Sequence, residues 1–550
     1  MTADAALEYR RLRVPREDGR SLIVPPLADV PALLSAHQQR RVSSPCADYD
    51  VQGRPLGALS AAARADLVRD ARAYTQAYRD VRVPSSGRVL LAGHQPQLFH
   101  PGVWLKNFVL SHLGAAHGAV PINLLIDSDT VKSTAVAVPG GRPEDPAVEH
   151  LPLDAPAPAV AYEERSIVDR ELFGSFGRHA GDRLGTLLRD PLLAEYWPRV
   201  ARRAEGLSQL GLCLAQGRHQ LEGSRGYHTL ELPFSRVCEA EPFAWFVAHL
   251  LAHLPRLWRV YNDSLAEYRR HHRLRSASHP VPNLTAEDGW LEAPFWVWRK
   301  DDPRRRAVFA RASGKEVHLA DRAGFELRLP LSTDAGGAAA AAILHALPAR
   351  GVKLRTRALT TTLWARLALG DLFIHGLGGA KYDQLTDALI QRFFGLEPAA
   401  FLTVSGTLYL PVPRPTVGEQ DLRRLDRQLR DLHFGPERFL DASQAPPADR
   451  QALGELIAAK HDWIGRGPAA EPGQPDAYPT PRDRFLELRR LSEALRPWVQ
   501  EQRQRVLAQR QTIEHQLRAD RVLGSREYAF CFYPWEKMRI LLLEFPPGSS

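Results

Sequence analysis

An α/β fold is predicted, with a parallel-sheet core drawn from two separated stretches, a connecting insert between them, and an α-helical, coiled-coil-like appendage at the C-terminus. Three observations carry this. Residues 87–126 read as strand, loop, helix and strand, a βαβ unit of the kind that builds parallel sheets with right-handed crossovers. A second α/β stretch with its own glycine-rich segment recurs at 360–395. Beyond residue 415 the composition shifts to Arg, Leu, Glu and Gln, with apolar residues at helical spacing.

Taken in order, residues 56–79 are alanine-rich with Leu and Tyr at helical spacing and predict one helix. GRVLLA at 87–92 is a short apolar strand, and 101–113 is helical after a Pro-Gly start. VPINLLI at 120–126 is a second buried strand, ended by Asp127, Ser128 and Asp129. Residues 139–158, rich in proline and acid, read as a surface loop. Helices are expected through 196–214 and 243–273, then an irregular aromatic stretch at 279–298 that packs over another element. Residues 306–329 alternate and contain Gly314 and Gly324, which predicts a meander of short strands, and 338–347 is a helix. Next come a helix at 360–369, a strand at 372–375, a glycine-rich loop at 376–380, and a helix at 382–394 closed by Gly395. The stripe Leu488, Leu491, Leu495, Trp498 marks an amphipathic helix within 484–518, kinked at Pro497 and joined through a linker at 465–481. Its expected partner is 422–432 of the same chain, with homodimerisation through the remaining face as the other outcome. The resulting division is 1–205 for the first half of the core with an N-terminal extension, 206–335 for the insert, 336–415 for the second half, and 416–550 for the helical appendage.

The 550 residues are 44% apolar and 25% charged, an ordinary globular composition that excludes wholesale disorder, and Gly 39 and Pro 43 exclude a collagenous chain. Cys46, Cys213, Cys238 and Cys531 lie far apart with no CxxC spacing, so reduced thiols are expected. Residues 1–20 are polar, and no apolar run approaches the roughly 20 residues of a membrane span, so a cytoplasmic location and no membrane partner are expected. The net charge of +9 comes without an aromatic RNA motif or helix-turn-helix, so nucleic acid is not an expected partner.

Chemistry is expected at three places. In GHQPQLFHPG, at 93–102, His94, Gln95, Gln97 and His100 supply donors and titratable groups beyond the carboxyl end of a strand, and Lys106 follows on the helix. Asp127 and Asp129, with Lys132 after them, are spaced to ligate Mg²⁺, hold a ribose or accept a proton; capping by Asp129 is the plain alternative. In HGLGGAKY, His375, Gly376, Gly378, Gly379, Lys381 and Tyr382 place a close-approach backbone beside a cation. The chain has few lysines among many arginines, and Lys106, Lys132 and Lys381 fall in or beside these loops, which points to a need for a compact, tunable charge.

GHQPQLFHPGVWLK, VPINLLIDSD and LRTRALTTTLWARLALGDLFIHGLGGAKY, in that order, resemble segments of the bacillithiol-biosynthesis family BshC, as does RRRAVFARASGKEVHLADRAGFELR upstream of the last. Family segments of the form GQQxGLFxGPLYxxxK, VPVFWxxxEDHD and RPxxQDxLLPTxAYVGGPGExAY are their counterparts, over about residue 90 to the C-terminus. The resemblance implies a Rossmann-like, nucleotidyltransferase-type core with a coiled-coil appendage and ATP-dependent activation of a carboxylate, in the family cysteine, for attack by an amine. His94 stands where the family has Gln and Lys381 near its Glu, so the residues that choose a substrate differ. On this reading His94, His100, Asp127 and Asp129 are catalytic. Gln95, Gln97, Lys106, Lys132, His375, Gly376, Gly378, Gly379, Lys381 and Tyr382 bind substrate and nucleotide, with ATP or ADP as ligand and Mg²⁺ at Asp127 and Asp129. The alternatives are a Mg²⁺-dependent nucleotide-sugar transferase, or a non-catalytic scaffold that binds a partner protein through its helices.

Overall fold

The structure, a computed structural model, describes residues 12–334, 336–466 and 480–547. The expected linker at 465–481 lies largely outside them. In chain order the strands are β1 (Ser21–Val24), β2 (Val89–His94), β3 (Val120–Leu125), β4 (Ala135–Arg142), β5 (Asp145–Pro152), β6 (Leu230–Pro233) and β7 (Ala286–Glu287). Then follow β8 (Trp290–Arg299), β9 (Asp302–Ser313), β10 (Glu316–Ala320), β11 (Glu326–Pro330), β12 (Val352–Thr356), β13 (Leu372–His375) and β14 (Phe401–Gly406).

The central sheet has the order β1-β14-β13-β2-β3-β6. Every pair from β14 to β6 is parallel, and only β1 is antiparallel, on β14. The two sequence halves therefore meet in one sheet: β13 of the second pairs directly with β2 of the first, Leu372 opposite Leu90 and Ile374 opposite Ala92. All six residues of β3 are buried, as befits a parallel strand covered on both faces. The Pro101–Ala116 helix begins with proline at its first position and His100 as cap, and packs on β2, β3 and β14. Its first turn lies backbone to backbone on β14. A Cβ at Gly102 would overlap the Gly406 carbonyl oxygen and sit 2.9 Å from the Gly406 nitrogen.

A second sheet, antiparallel, has the order β11-β10-β9-β8-β12, with β7 on β8. It contains the expected meander, but the 279–298 stretch is not irregular throughout. From Trp290 it is a strand whose alternation is broken by a bulge between Ala293 and Trp296, around Pro294, which hid it from a period-2 reading. The expected surface loop at 139–158 is largely a hairpin of β4 and β5, with Glu144, Asp145 and Glu149 exposed and Pro139 buried. The glycines of 376–380 are not a free loop: Gly376 caps the Leu377–Leu389 helix, and Gly378 and Gly379 form its first turn. That helix ends through a π turn at Gly395, with φ +69°.

The chain divides into two compact units, not four consecutive blocks. One comprises Met1–Gly140, Val148–Pro411 and Ser525–Ser550; the other Gly141–Ala147 and Val412–Gly524. Within the second unit, Leu425 and Leu432 of the Glu419–Phe434 helix pack with Val499 and Val506, the latter on the Gln500–Leu523 helix. Leu495 and Trp498 pack instead with Leu453 and Leu456 of the Arg450–Gly465 helix. The stripe thus finds its partner within the chain, but on a different helix from the one expected. Pro497 sits in a 3₁₀ turn, Arg496–Val499, that breaks the long helix in two. The helical stretch ends at Gly524, and the last residues return to the first unit. Among the described residues no helix is long and apolar enough to cross a membrane, and the four cysteines are free.

Candidate functional site

A cavity of about 1060 Å³ opens beyond the carboxyl ends of β2, β3 and β13. It is lined by the 93–103 and 375–379 stretches, by Ser128 and Asp129 after β3, and by Trp296, Arg305 and Arg357 from the second sheet and its exit. Loops after parallel strands gather on one sheet edge, so both halves of the sequence deliver side chains here.

His94 ends β2, its Nδ1 3.0 Å from the Gln95 carbonyl and its ring 4.7 Å edge-on from Phe99. Burial, with Lys106 nearby, pushes it down to about 3, so it is neutral at physiological pH. His100 Nδ1 accepts from the Gly102 amide at 3.1 Å, and its Nε2 is 3.5 Å from the Arg526 guanidinium. Burial and Arg526 lower it to about 4. Lys106 reaches back from the Pro101–Ala116 helix, where its Nζ donates to the Gly93 carbonyl at 2.7 Å. The residue is 2% exposed, and among the described residues no carboxylate pairs with it. Burial, then Arg218, lowers its amine to about 7.

Asp129 holds the β3 side of the cavity. Its Oδ2 accepts from Gln95 at 3.0 Å and its Oδ1 from Arg305 at 3.1 Å. Gln97 accepts from the Tyr162 hydroxyl at 3.0 Å. Arg305 and Arg357 stack on Trp296, 4.6 and 4.1 Å from the ring centroid, with Arg357 also paired to Glu292 at 2.5 Å. Lys381 is exposed at the mouth, while Tyr382 lines the wall, its hydroxyl pushed up to about 12 by burial, Asp383 and Asp129. His375 closes β13 with its ring against the cavity and its Nε2 2.8 Å from Asp383.

Two expected members stand elsewhere. Asp127 does not line the cavity; it is buried, with Oδ1 accepting from the Ser235 amide at 2.9 Å and Oδ2 from its hydroxyl at 2.6 Å. Burial, then Glu163, raises it to about 7, which disfavours the anion that a metal ligand needs. A tight turn at 125–127 separates its direction from that of Asp129. Lys132 is exposed and outside the cavity. With both Asp127 oxygens held by Ser235 and Asp129 tied to Arg305 and Gln95, these two residues do not fit a shared Mg²⁺, and among the described residues no three metal-binding side chains cluster. Comparison with protein-family models and with curated proteins finds no match.

The cations from outside the three loops were not read from the sequence. Arg305 belongs to the RRR run at 304–306, which resembles any solvated charge run, and Arg526 arrives from the far end of the chain. The one signal was the aromatic stretch around Trp296, which packs over the site and carries both stacked arginines. With Arg16, Lys106, Arg305, Arg357, Lys381 and Arg526 facing Asp129 and Glu527, the cavity is set up for an anion.

Proposed function

We propose that this chain is a BshC-like, Rossmann-like cytoplasmic enzyme, an ATP-dependent ligase or nucleotidyl-transfer enzyme that joins a small carboxylate such as cysteine to an amine. The observation that carries the reading is the meeting of two helix N-termini and a buried lysine at one cavity. The Pro101–Ala116 and Leu377–Leu389 helices both start on its wall with the positive ends of their dipoles; the first is capped by His100, while the second has no side-chain cap and turns its first N–H groups to the cavity. Among the described residues Lys106, between them, has no counter-ion, and a phosphate supplies one. A Cβ at Gly378 would meet nothing within 4 Å, so the first turn is open to a ligand. A volume of about 1060 Å³ leaves room for a nucleotide and a second, smaller substrate.

The residues then divide by chemistry. Lys106, Lys381 and the Leu377–Leu389 N-terminus bind phosphates. Neutral His100, whose Nδ1 accepts from Gly102 and whose Nε2 therefore carries the proton, donates to charge that builds on them in the transition state. His94 spends its proton on the Gln95 carbonyl and lines the site beside it. Arg305 and Arg357, fixed flat on Trp296, orient a carboxylate.

Calorimetry and thermal shift on the full chain with ATP, ADP and nucleotide sugars test this. ATP is expected to bind, and Lys381→Ala to weaken it by about 1.5–3 kcal/mol, the worth of a hydrogen bond to a charged group. Binding of nucleotide sugars instead favours the transferase, and no response to any nucleotide favours the scaffold.

A further inference from the structure

The geometry points to His375 as the base that deprotonates the incoming amine, with Asp383 as the residue that positions it. The inference rests on the ligase reading and adds the proton acceptor that reading lacks. An amine reaches such a site as an ammonium ion and attacks only after losing a proton.

Three histidines line the cavity, and their surroundings separate them. His94 faces the Gln95 carbonyl through Nδ1, and His100 spends Nδ1 on the Gly102 amide and points Nε2 at Arg526, so neither is backed by a buried carboxylate. His375 is. Its Nε2 lies 2.8 Å from Oδ2 of Asp383, which is fully buried and also held by Arg366 at 2.8 Å. The contact is close in distance and poor in angle, as catalytic hydrogen bonds in ligand-free sites often are. Burial opposes ionisation of Asp383, yet Arg366 and His375 hold it well below the usual carboxylate range. A carboxylate behind Nε2 fixes the proton there and leaves the Nδ1 lone pair free, and it steadies the imidazolium once formed.

The adjoining backbone fits the role. A Cβ at Gly379 would come 2.8 Å from His375 Nδ1, so the glycine in the first helical turn leaves that nitrogen its space. The face of Asp383 away from the cavity is equally built. Arg366 bridges Asp383 and Asp387, the latter at 2.5 Å, so the carboxylate cannot swing away from the imidazole without breaking a buried pair.

The step balances as follows. ATP has first converted the carboxylate to an acyl phosphate or acyl adenylate. The ammonium gives one proton to His375 Nδ1, and the freed lone pair forms the C–N bond. The acyl C–O bond to the nucleotide-derived group breaks, and that group leaves with the electron pair and the second nitrogen-bound proton. The imidazolium then returns its proton to water.

The test uses the full chain with ATP, the proteinogenic amino acids as carboxylates, and two nucleophiles: a panel of primary alkylamines and hydroxylamine, which is already neutral at physiological pH. His375→Gln is expected to lower alkylamide formation about 100-fold or more, the lower end of general-base catalysis, while hydroxamate formation and ATP affinity stay within a few-fold of wild type. Asp383→Asn should show the same selective loss, and Asp383→Glu, which keeps the charge for Arg366 but displaces the carboxylate from Nε2, is the further variant should Asp383→Asn not fold. Equal loss of both products, no loss of either, or a wild type that makes hydroxamate alone overturns the base assignment and leaves the ligase reading standing. A wild type that binds no ATP and makes neither product overturns the ligase reading, and the base assignment with it.

Discussion

Lys106→Met should make the protein more stable while removing its grip on nucleotide. The amine is 2% exposed and makes one neutral hydrogen bond, to the Gly93 carbonyl, in place of an ion pair. The gap between an ordinary lysine at 10.5 and Lys106 at about 7 corresponds to about 5 kcal/mol of desolvation that the fold carries when the amine is charged. Methionine fills nearly the same volume without that charge. Its cost is the Gly93 carbonyl left unpaired, about 1–3 kcal/mol, so the net gain is about 2–4 kcal/mol. The sign of the pH dependence follows from the lowered folded value. Below about pH 7 the amine is protonated in both states and the penalty is complete. Between about pH 7 and pH 10.5 only the unfolded chain keeps the proton, so wild-type stability rises by about 1.4 kcal/mol per pH unit and the advantage of the variant shrinks. Urea unfolding of both proteins from about pH 6 to about pH 9 measures this. A difference that does not change with pH, or a variant less stable at the acid end, refutes the reasoning. In the same samples ATP binding by Lys106→Met should fall by about 1.5–3 kcal/mol.

Three further outcomes are expected. Gly102→Ala drives a methyl into the Gly406 backbone and should cost about 3 kcal/mol in urea unfolding, because backbone on a central strand cannot give way as a side chain can. Arg366→Met leaves the carboxylates of Asp383 and Asp387 without their shared cation and should destabilise by about 3–5 kcal/mol, most strongly at neutral pH and less in acid, where Asp387 protonates. Ser235→Ala removes the 2.6 Å hydroxyl bond to Asp127 and should cost about 1.5–3 kcal/mol of stability while leaving ATP affinity as it was, since Asp127 lies outside the cavity.

The parts legible in the sequence are those where one physical demand dominates. β2, the helix after it and β3 announce themselves because a parallel strand buried on both faces must be almost wholly apolar, and Pro101 marks a helix start. The gathering of the 93–102 and 375–382 loops followed from topology alone. Asp127 was misjudged because residues at i and i+2 share a face only while the strand continues, and here the chain turns between them. β14 was hidden by Thr403, Ser405 and Gly406, polar or small residues in a strand whose antiparallel neighbour, β1, was not deducible from local pattern. Arg305 and Arg357 owe their place to Trp296 across a bulged strand, a non-local relation that no spacing rule encodes.

The return of Ser525–Ser550 to the first unit has a consequence for biosynthesis. The Phe530 amide bonds the Phe99 carbonyl at 2.8 Å and the Tyr533 hydroxyl bonds the Leu408 carbonyl at 3.1 Å, and Arg526 and Glu527 supply part of the cavity wall. Translation delivers these residues only after the whole helical excursion of Val412–Gly524 has been made. A nascent chain halted near residue 415 holds every strand of the central sheet and still lacks one side of its binding chamber. Completion of the chamber thus waits on synthesis beyond Gly524, and a stop within the helical excursion removes Arg526 and Glu527 from the pocket wall.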